Sequence, residues 1–292
     1  MTHVNRVIAL LAQDQPVYYT GASSRGYEGG KRDSATWADY IAYDMEHGAF
    51  DVGDLRDYMQ GMVDAGPTRS GHRTPTVIVT LPIDGTTEEV VRANSWVIKQ
   101  VLATGVHGLM LCHAETPGAV RAFVECSRYP FNTIGIGAGL DDGRRGGGGQ
   151  AHAADIWGVP TRKYLDVADP WPLNPAGELL LGLKIENKRA LSNVESSMRT
   201  PGIGFAEWGP GDMGMSLGFP DNHDEPYPAP MQDARDRVLA ACKSNGVFFL
   251  NMVLESDVTQ RIDEGVRVCA CGRSGERAAA IGRQHTRRTM PV

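Results

Sequence analysis

Residues 184–187, Lys-Ile-Glu-Asn, and residues 207–214, Glu-Trp-Gly-Pro-Gly-Asp-Met-Gly, each read as the end of an apolar strand that delivers a carboxylate to a loop. Glu186 and Asp212 stand 26 positions apart, about one strand, helix and strand of a βαβ unit, so both side chains fall at the same end of neighbouring parallel strands. Two carboxylates at strand exits suggest a divalent-cation site. Strand exits are also where α/β enzymes carry their chemistry.

Outward from this pair, short apolar runs recur with helix-like segments between them. Eight are visible, at 16–21, 40–45, 76–81, 108–112, 179–185, 202–208, 247–253 and 266–271. None alternates strictly, as expected when both faces of a parallel strand are covered. Apolar residues at three- and four-residue intervals predict helices at 52–65, 87–104, 117–127, 188–198, 231–245 and 254–264. Asp51, Gly105, the Asn245-Gly246 pair and Gly265 punctuate their ends. Eight βα units predict an α/β fold, a closed (β/α)₈ TIM barrel, and a chain of 292 residues suits one such domain spanning 1–292.

Residues 137–178 break the rhythm. Glycines, charges, prolines and two tryptophans follow one another there without a period, over a length unusual for a plain connector. They are expected to form an irregular insertion after the fourth strand, acting as a mobile lid or a subunit contact and setting the choice of acceptor. The Gly146–Gly149 run lacks the lysine and the preceding strand of a phosphate loop.

A net charge of −6, with Lys and Arg scattered rather than striped, argues against a nucleic-acid partner. No apolar run approaches the roughly 20 residues that span a bilayer, so no membrane partner is expected. The five cysteines are odd in number and follow no secretory leader, which fits buried free thiols in a reducing, cytoplasmic setting.

Asp44-Met45-Glu46-His47-Gly48 closes the second strand and brings His47 to the carboxyl rim, three residues after Asp44. An imidazole there can take or give a proton near neutrality. Trp208 either lines the pocket or packs between strand and helix, and Glu207 takes the opposite side. Taken in order, Asp44-x-Glu46-His47, the Lys184-Ile185-Glu186 strand end and the Gly209-Pro210-x-Asp212-x-x-x-Ser216-Leu217-Gly218 loop resemble the HpcH/HpaI family of class II 2-oxo-acid aldolases. Segments around 97–111, 127–130 and 249–265 are similar as well, so the resemblance runs from about residue 7 to about residue 284.

The resemblance implies a metal-dependent pyruvate-type aldolase on a TIM barrel, assembled as a homo-oligomer: a hexamer built as a trimer of dimers, or a smaller assembly, with terminal helices exchanged. It implies that Glu186 and Asp212 ligate a divalent cation, Mg²⁺ or Mn²⁺ first and Co²⁺ or Zn²⁺ as alternates. His47 is then the acid/base, Asp44 orients it, and the backbone amides of Gly211 and Asp212 receive the substrate carboxylate. A cation held by two carboxylates would polarise a 2-oxo acid and stabilise the enolate left when a carbon–carbon bond breaks. Two departures stand out. The third strand offers Thr80 or Val79 where the family usually has an arginine, and Ala103 stands where an aspartate is common. Arg25, in the loop after the first strand, is a candidate replacement anion ligand, and His113 a further rim group on the proton path.

The function expected is carbon–carbon lyase chemistry on a 4-hydroxy-2-oxo acid, with a 2-oxo acid and an aldehyde as partners. A decarboxylase, a malyl-thioester-type lyase on the same site, and a non-catalytic carboxylate-binding barrel are the alternatives. Proton exchange on a 2-oxo acid separates the first from the last.

Overall fold

All eight apolar runs are strands, and they close on one another. The computed structural model describes residues 3–222, 224–272 and 274–292. Its barrel strands are β1 (Val17–Gly21), β2 (Tyr40–Asp44), β3 (Thr76–Asp84), β4 (Gly108–Cys112), β6 (Leu179–Lys184), β7 (Phe205–Glu207), β8 (Phe248–Met252) and β9 (Val266–Ala270); a two-residue strand, β5 (Pro170–Trp171), joins the start of β6. The order β4-β3-β2-β1-β9-β8-β7-β6 is parallel throughout, and β4 meets β6 from Gly108↔Leu180 to Leu111↔Leu183, which completes the ring.

Alternation along these strands sorts the core into two layers. Val17, Tyr40, Ile78, Met110, Leu180, Phe205, Leu250 and Val268 point inward and form one buried cluster. Their neighbours Tyr18, Ile41, Val77, Leu109, Leu181, Ala206, Phe249 and Cys269 face the surrounding helices. The inner cluster is completed by Val7, Ile8, Leu10 and Leu11 of α1 (Arg6–Leu11), a helix that plugs the amino end. Asn5 pins the plug: its side-chain amide donates to the carbonyls of His107 (3.1 Å) and Glu178 (3.2 Å).

The outer helices are α2 (Gly26–Asp33), α3 (Val52–Asp64), α4 (Glu88–Ala93), α5 (Ser95–Ala103), α6 (Pro117–Ser127), α7 (Gln150–Trp157), α8 (Thr161–Val167), α9 (Lys188–Ser192), α10 (Val194–Met198), α11 (Pro210–Leu217), α12 (Ala229–Asn245), α13 (Val258–Glu264) and α14 (Glu276–His285). Two expected helices are each split in two, at Asn94 and Asn193, which end one helix and begin the next. Asp51 caps α3 by accepting the Asp54 N–H, as its position suggested. Glycine brings α2 and α3 together: a Cβ on Gly30 would overlap the Tyr58 carbonyl oxygen, and one on Gly61 the Tyr27 carbonyl. Gly30→Ala should therefore cost about 1–3 kcal/mol by overpacking, read as a lower denaturant midpoint. An unchanged midpoint would mean that the two helices separate freely.

The expectation for 137–178 needs correction. The stretch contains two helices, α7 and α8, whose Ala153, Ala154, Ile156, Trp157, Tyr164 and Val167 are buried. It also lies between α6 and β6, an αβ connection, whereas active faces are built from βα loops. The Trp157 indole donates to the carbonyl of Gly105 at 2.8 Å, just before β4, and Arg128 forms a buried pair with Asp169. The insertion thus braces the amino side and does not form a lid over the carboxyl rim. At the carboxyl end α14 packs on α13, where Gly282 allows close approach to the Tyr18 hydroxyl. Arg288 then anchors the tail on Asp39 at 2.6 and 2.7 Å.

All five cysteines are free, and all but Cys271 are buried. Among the described residues, no helix is long and apolar enough to cross a membrane.

Candidate active site

Glu186 is fully buried at the carboxyl end of β6. Its Oε1 accepts the His113 backbone N–H at 2.7 Å. Its Oε2 has no hydrogen bond but lies 3.0 Å from the Lys184 ammonium, which in turn donates to Glu46 Oε2 at 2.6 Å. Asn187 fixes the strand exit: its Oδ1 accepts the N–H groups of Arg189 and Ala190 to cap α9, and its Nδ2 donates to Glu115 Oε1 at 3.0 Å.

The turn after β2 is organised by Asp44. Its Oδ1 accepts the backbone N–H of Glu46 (2.8 Å) and of His47 (3.2 Å), and its Oδ2 lies 3.1 Å from His47 Nδ1. The imidazole itself is exposed, with Glu46 Oε2 at 3.6 Å. Arg25, the candidate anion ligand, commits two of its donors to this turn. Its guanidinium donates to the carbonyls of Asp44 (2.7 Å) and Ala49 (2.9 Å) and so braces the turn that carries His47. A cavity of about 400 Å³ opens between Arg25, Gly21, Ala42 and Asp44.

At the exit of β7, Gly209 adopts φ 52°, and a Cβ there would overlap that of Glu186. The Pro210 turn therefore packs directly on Glu186. The first hydrogen bond inside α11 runs from Met213 N–H to Gly209 O at 3.0 Å, so the amides of Gly211 and Asp212 belong to the opening turn. Glu207 faces the barrel interior. Its carboxyl is pushed up to about 7, chiefly by burial, with Lys184 opposing and the charges of Glu186, Glu46 and Asp212 adding. Trp208 takes the other side. It is buried against Tyr227, and its indole donates to Asn251 Oδ1 at 3.1 Å, so it belongs to the strand–helix layer and not to the substrate pocket. Thr80 is buried on β3, two residues beyond inward-facing Ile78 and on the same face.

The sequence profile of HpcH/HpaI aldolase/citrate lyase matches residues 34–280. The chain belongs to this family. It is similar to the hydroxypyruvate/pyruvate aldolase of Paraburkholderia phytofirmans, 27% identical over 209 residues that make up 72% of this chain and 68% of that one. It is also similar to the 2-keto-3-deoxy-L-rhamnonate aldolase of Klebsiella pneumoniae, 28% identical over 210 residues, 71% of this chain and 65% of that one. The matched region thus spans only about two thirds of these relatives. An HpcH/HpaI aldolase/citrate lyase family protein from Burkholderia cenocepacia J2315 shares the fold, with a TM-score of 0.70, 24% identity and 94% of each chain covered.

This HpcH/HpaI enzyme carries an acidic mouth. Ligating atoms of Glu46, His113 and Glu186 lie within 4.8 Å of one another, as do those of Asp44, Glu46 and His47. Asp212 belongs to neither group, although its charge reaches Glu207. Burial lifts the Glu186 carboxyl above its usual range, even against Lys184. Burial also works against the Lys184 ammonium, but Glu186 and Glu207 outweigh it and hold the group charged. A buried carboxylate oxygen without a hydrogen bond, among further oxygen donors, fits a hard divalent cation.

His113 takes the left-handed backbone conformation, φ 44°, which turns its N–H onto Glu186 and leaves Nδ1 3.4 Å from the same oxygen. Lys184, Glu46 and Glu207 appear in the sequence motifs or beside them, but sequence reasoning gave them no role in the site. The signal was available for Lys184: residues two apart at a strand end share a face, so it had to accompany Glu186.

Proposed function

We propose that the chain is a metal-dependent carbon–carbon lyase that cleaves or forms a 4-hydroxy-2-oxo acid through a pyruvate-type enolate. The observation that carries this reading is Glu186, a buried carboxylate at the barrel mouth whose Oε2 has no hydrogen bond and only the Lys184 ammonium 3.0 Å away, in a chain of an aldolase family whose members work with a metal. Glu186 and Asp212 would hold the cation, Mg²⁺ or Mn²⁺ in the first place. When bound, it supplies Lewis acidity, drawing electron density from the keto oxygen of the substrate.

The remaining work falls to the chain. The amides of Gly211 and Asp212, in the opening turn of α11, suit a carboxylate because a helix start carries free N–H groups and positive potential. Thr80 and His113 border the reacting carbons. In the cleavage direction His47 takes the proton of the C4 hydroxyl, the C3–C4 bond breaks, and its electron pair enters the enolate. The aldehyde leaves, and C3 is protonated. Asp44 holds the imidazole for both transfers.

The test is exchange of C3 protons of pyruvate and hydroxypyruvate with D₂O, with Mg²⁺ present. His47→Ala should slow it by about 10²–10⁴-fold and Asp44→Asn by roughly 10–100-fold, as for other orienting groups. Absence of exchange from the native protein across a panel of 2-oxo acids would refute the reading. The same proposal includes a cytoplasmic setting and a homo-oligomer, the assembly supported by the exposed apolar Phe131, Ile134 and Ile136 beside the amino-side insertion.

A further inference from the structure

We propose that Lys184 is a resident cation of this centre: it balances Glu46 and Glu186 before a divalent ion arrives, and afterwards adds a second positive charge where the enolate forms. The inference deepens the lyase reading and rests on it for the second role only.

The geometry is specific. The Lys184 side chain is 10% exposed, and its Nζ lies 2.6 Å from Glu46 Oε2 and 3.0 Å from Glu186 Oε2. It rises from the inward face of β6, above Leu180 and Gly182. The side chains that strand alternation places beside it at the same end, Asp44, Thr80, Cys112 and Glu207, are neutral or acidic. Lysine is therefore the positive side chain of this inward layer.

Two consequences follow from charge alone. An ion entering at Glu186 Oε2 must share that oxygen with an ammonium already in contact, so the site binds it less tightly than its carboxylates alone would. A 2-oxo acid is itself an anion, and it approaches Asp44, Glu46, Glu186, Glu207 and Asp212; a fixed ammonium offsets that repulsion and meets the charge that develops on the enolate.

The experiment uses the intact chain and Mn²⁺, with free Mn²⁺ followed by electron paramagnetic resonance. Lys184→Met and Lys184→Gln should each bind Mn²⁺ about tenfold or more tightly than the native protein. At saturating Mn²⁺, proton exchange on pyruvate, read by mass spectrometry, should fall roughly 100-fold in both, and Lys184→Arg should recover to within about tenfold of native. Affinity for Mn²⁺ that stays level or weakens in both neutral variants would overturn the assignment. So would a covalent adduct on Lys184 after borohydride treatment with pyruvate, which would make the amine an imine-forming nucleophile. The two readings fail separately. Tighter Mn²⁺ binding in the variants with no exchange in the native protein would sink the lyase and leave the resident cation standing, while native exchange without a gain in Mn²⁺ affinity would do the reverse.

Discussion

Glu186→Gln should abolish metal-dependent proton exchange, by at least about a thousandfold, while leaving the barrel folded. The substitution keeps the size of the side chain and can preserve an oxygen for the His113 N–H, a 2.7 Å bond in the native site. What it removes is the negative charge that a cation needs at the buried Oε2. The fold should tolerate the loss, because the amide fills the same space and Lys184 keeps Glu46 as its partner at 2.6 Å. Mn²⁺ binding and deuterium incorporation into pyruvate should vanish together. Exchange persisting within tenfold of native would assign the cation to Glu46 and His113 without Glu186, and the mechanism would need rebuilding.

Asp169→Asn attacks the opposite end. Asp169 and Arg128 are both fully buried, joined by a two-point contact of 2.7 and 3.1 Å, and Asn174 adds a third bond to the carboxylate. Removing the anion strands a guanidinium away from water, a change that typically costs about 3–5 kcal/mol. For a chain of this size that means a melting temperature lower by roughly 10 °C. The double change to Arg128→Met and Asp169→Leu should recover much of the loss, since an apolar pair needs no compensation. Below its melting point the single variant should retain its exchange rate, because the brace sits at the amino side and the chemistry at the carboxyl side. A melting temperature within a degree or two of native would show that the insertion is held by its apolar contacts alone.

The barrel was legible because its strands are short apolar runs between amphipathic helices, a pattern that local propensity and burial both enforce. All eight strands and α6 lie where the sequence put them, within a few residues at the ends. The breaks at Asn94 and Asn193 were not legible, since the apolar period continues across each. Helix α2 escaped notice because Gly-Tyr-Glu-Gly-Gly-Lys-Arg-Asp is a poor helix former on its own; its glycines serve the contact with α3, which exists only once the chain is folded. The Asp44–His47 contact was predictable from a three-residue spacing. The Lys184–Glu46 contact joins residues 138 positions apart, and lysines near strand ends are commonly solvated, so only the closed ring could reveal it. The surroundings of Trp208 and Arg25 were not legible for the same reason: an aromatic or basic residue near a rim is ambiguous until its neighbours on other strands are known.

The helix that fills the floor of the barrel closes its amino end. On the chemistry proposed, the 2-oxo acid sits deepest, against Glu186 and the start of α11, with the aldehyde between it and solvent. Traffic then follows a fixed queue: the keto partner goes in first and comes out last, and an aldehyde that arrives early only blocks the way.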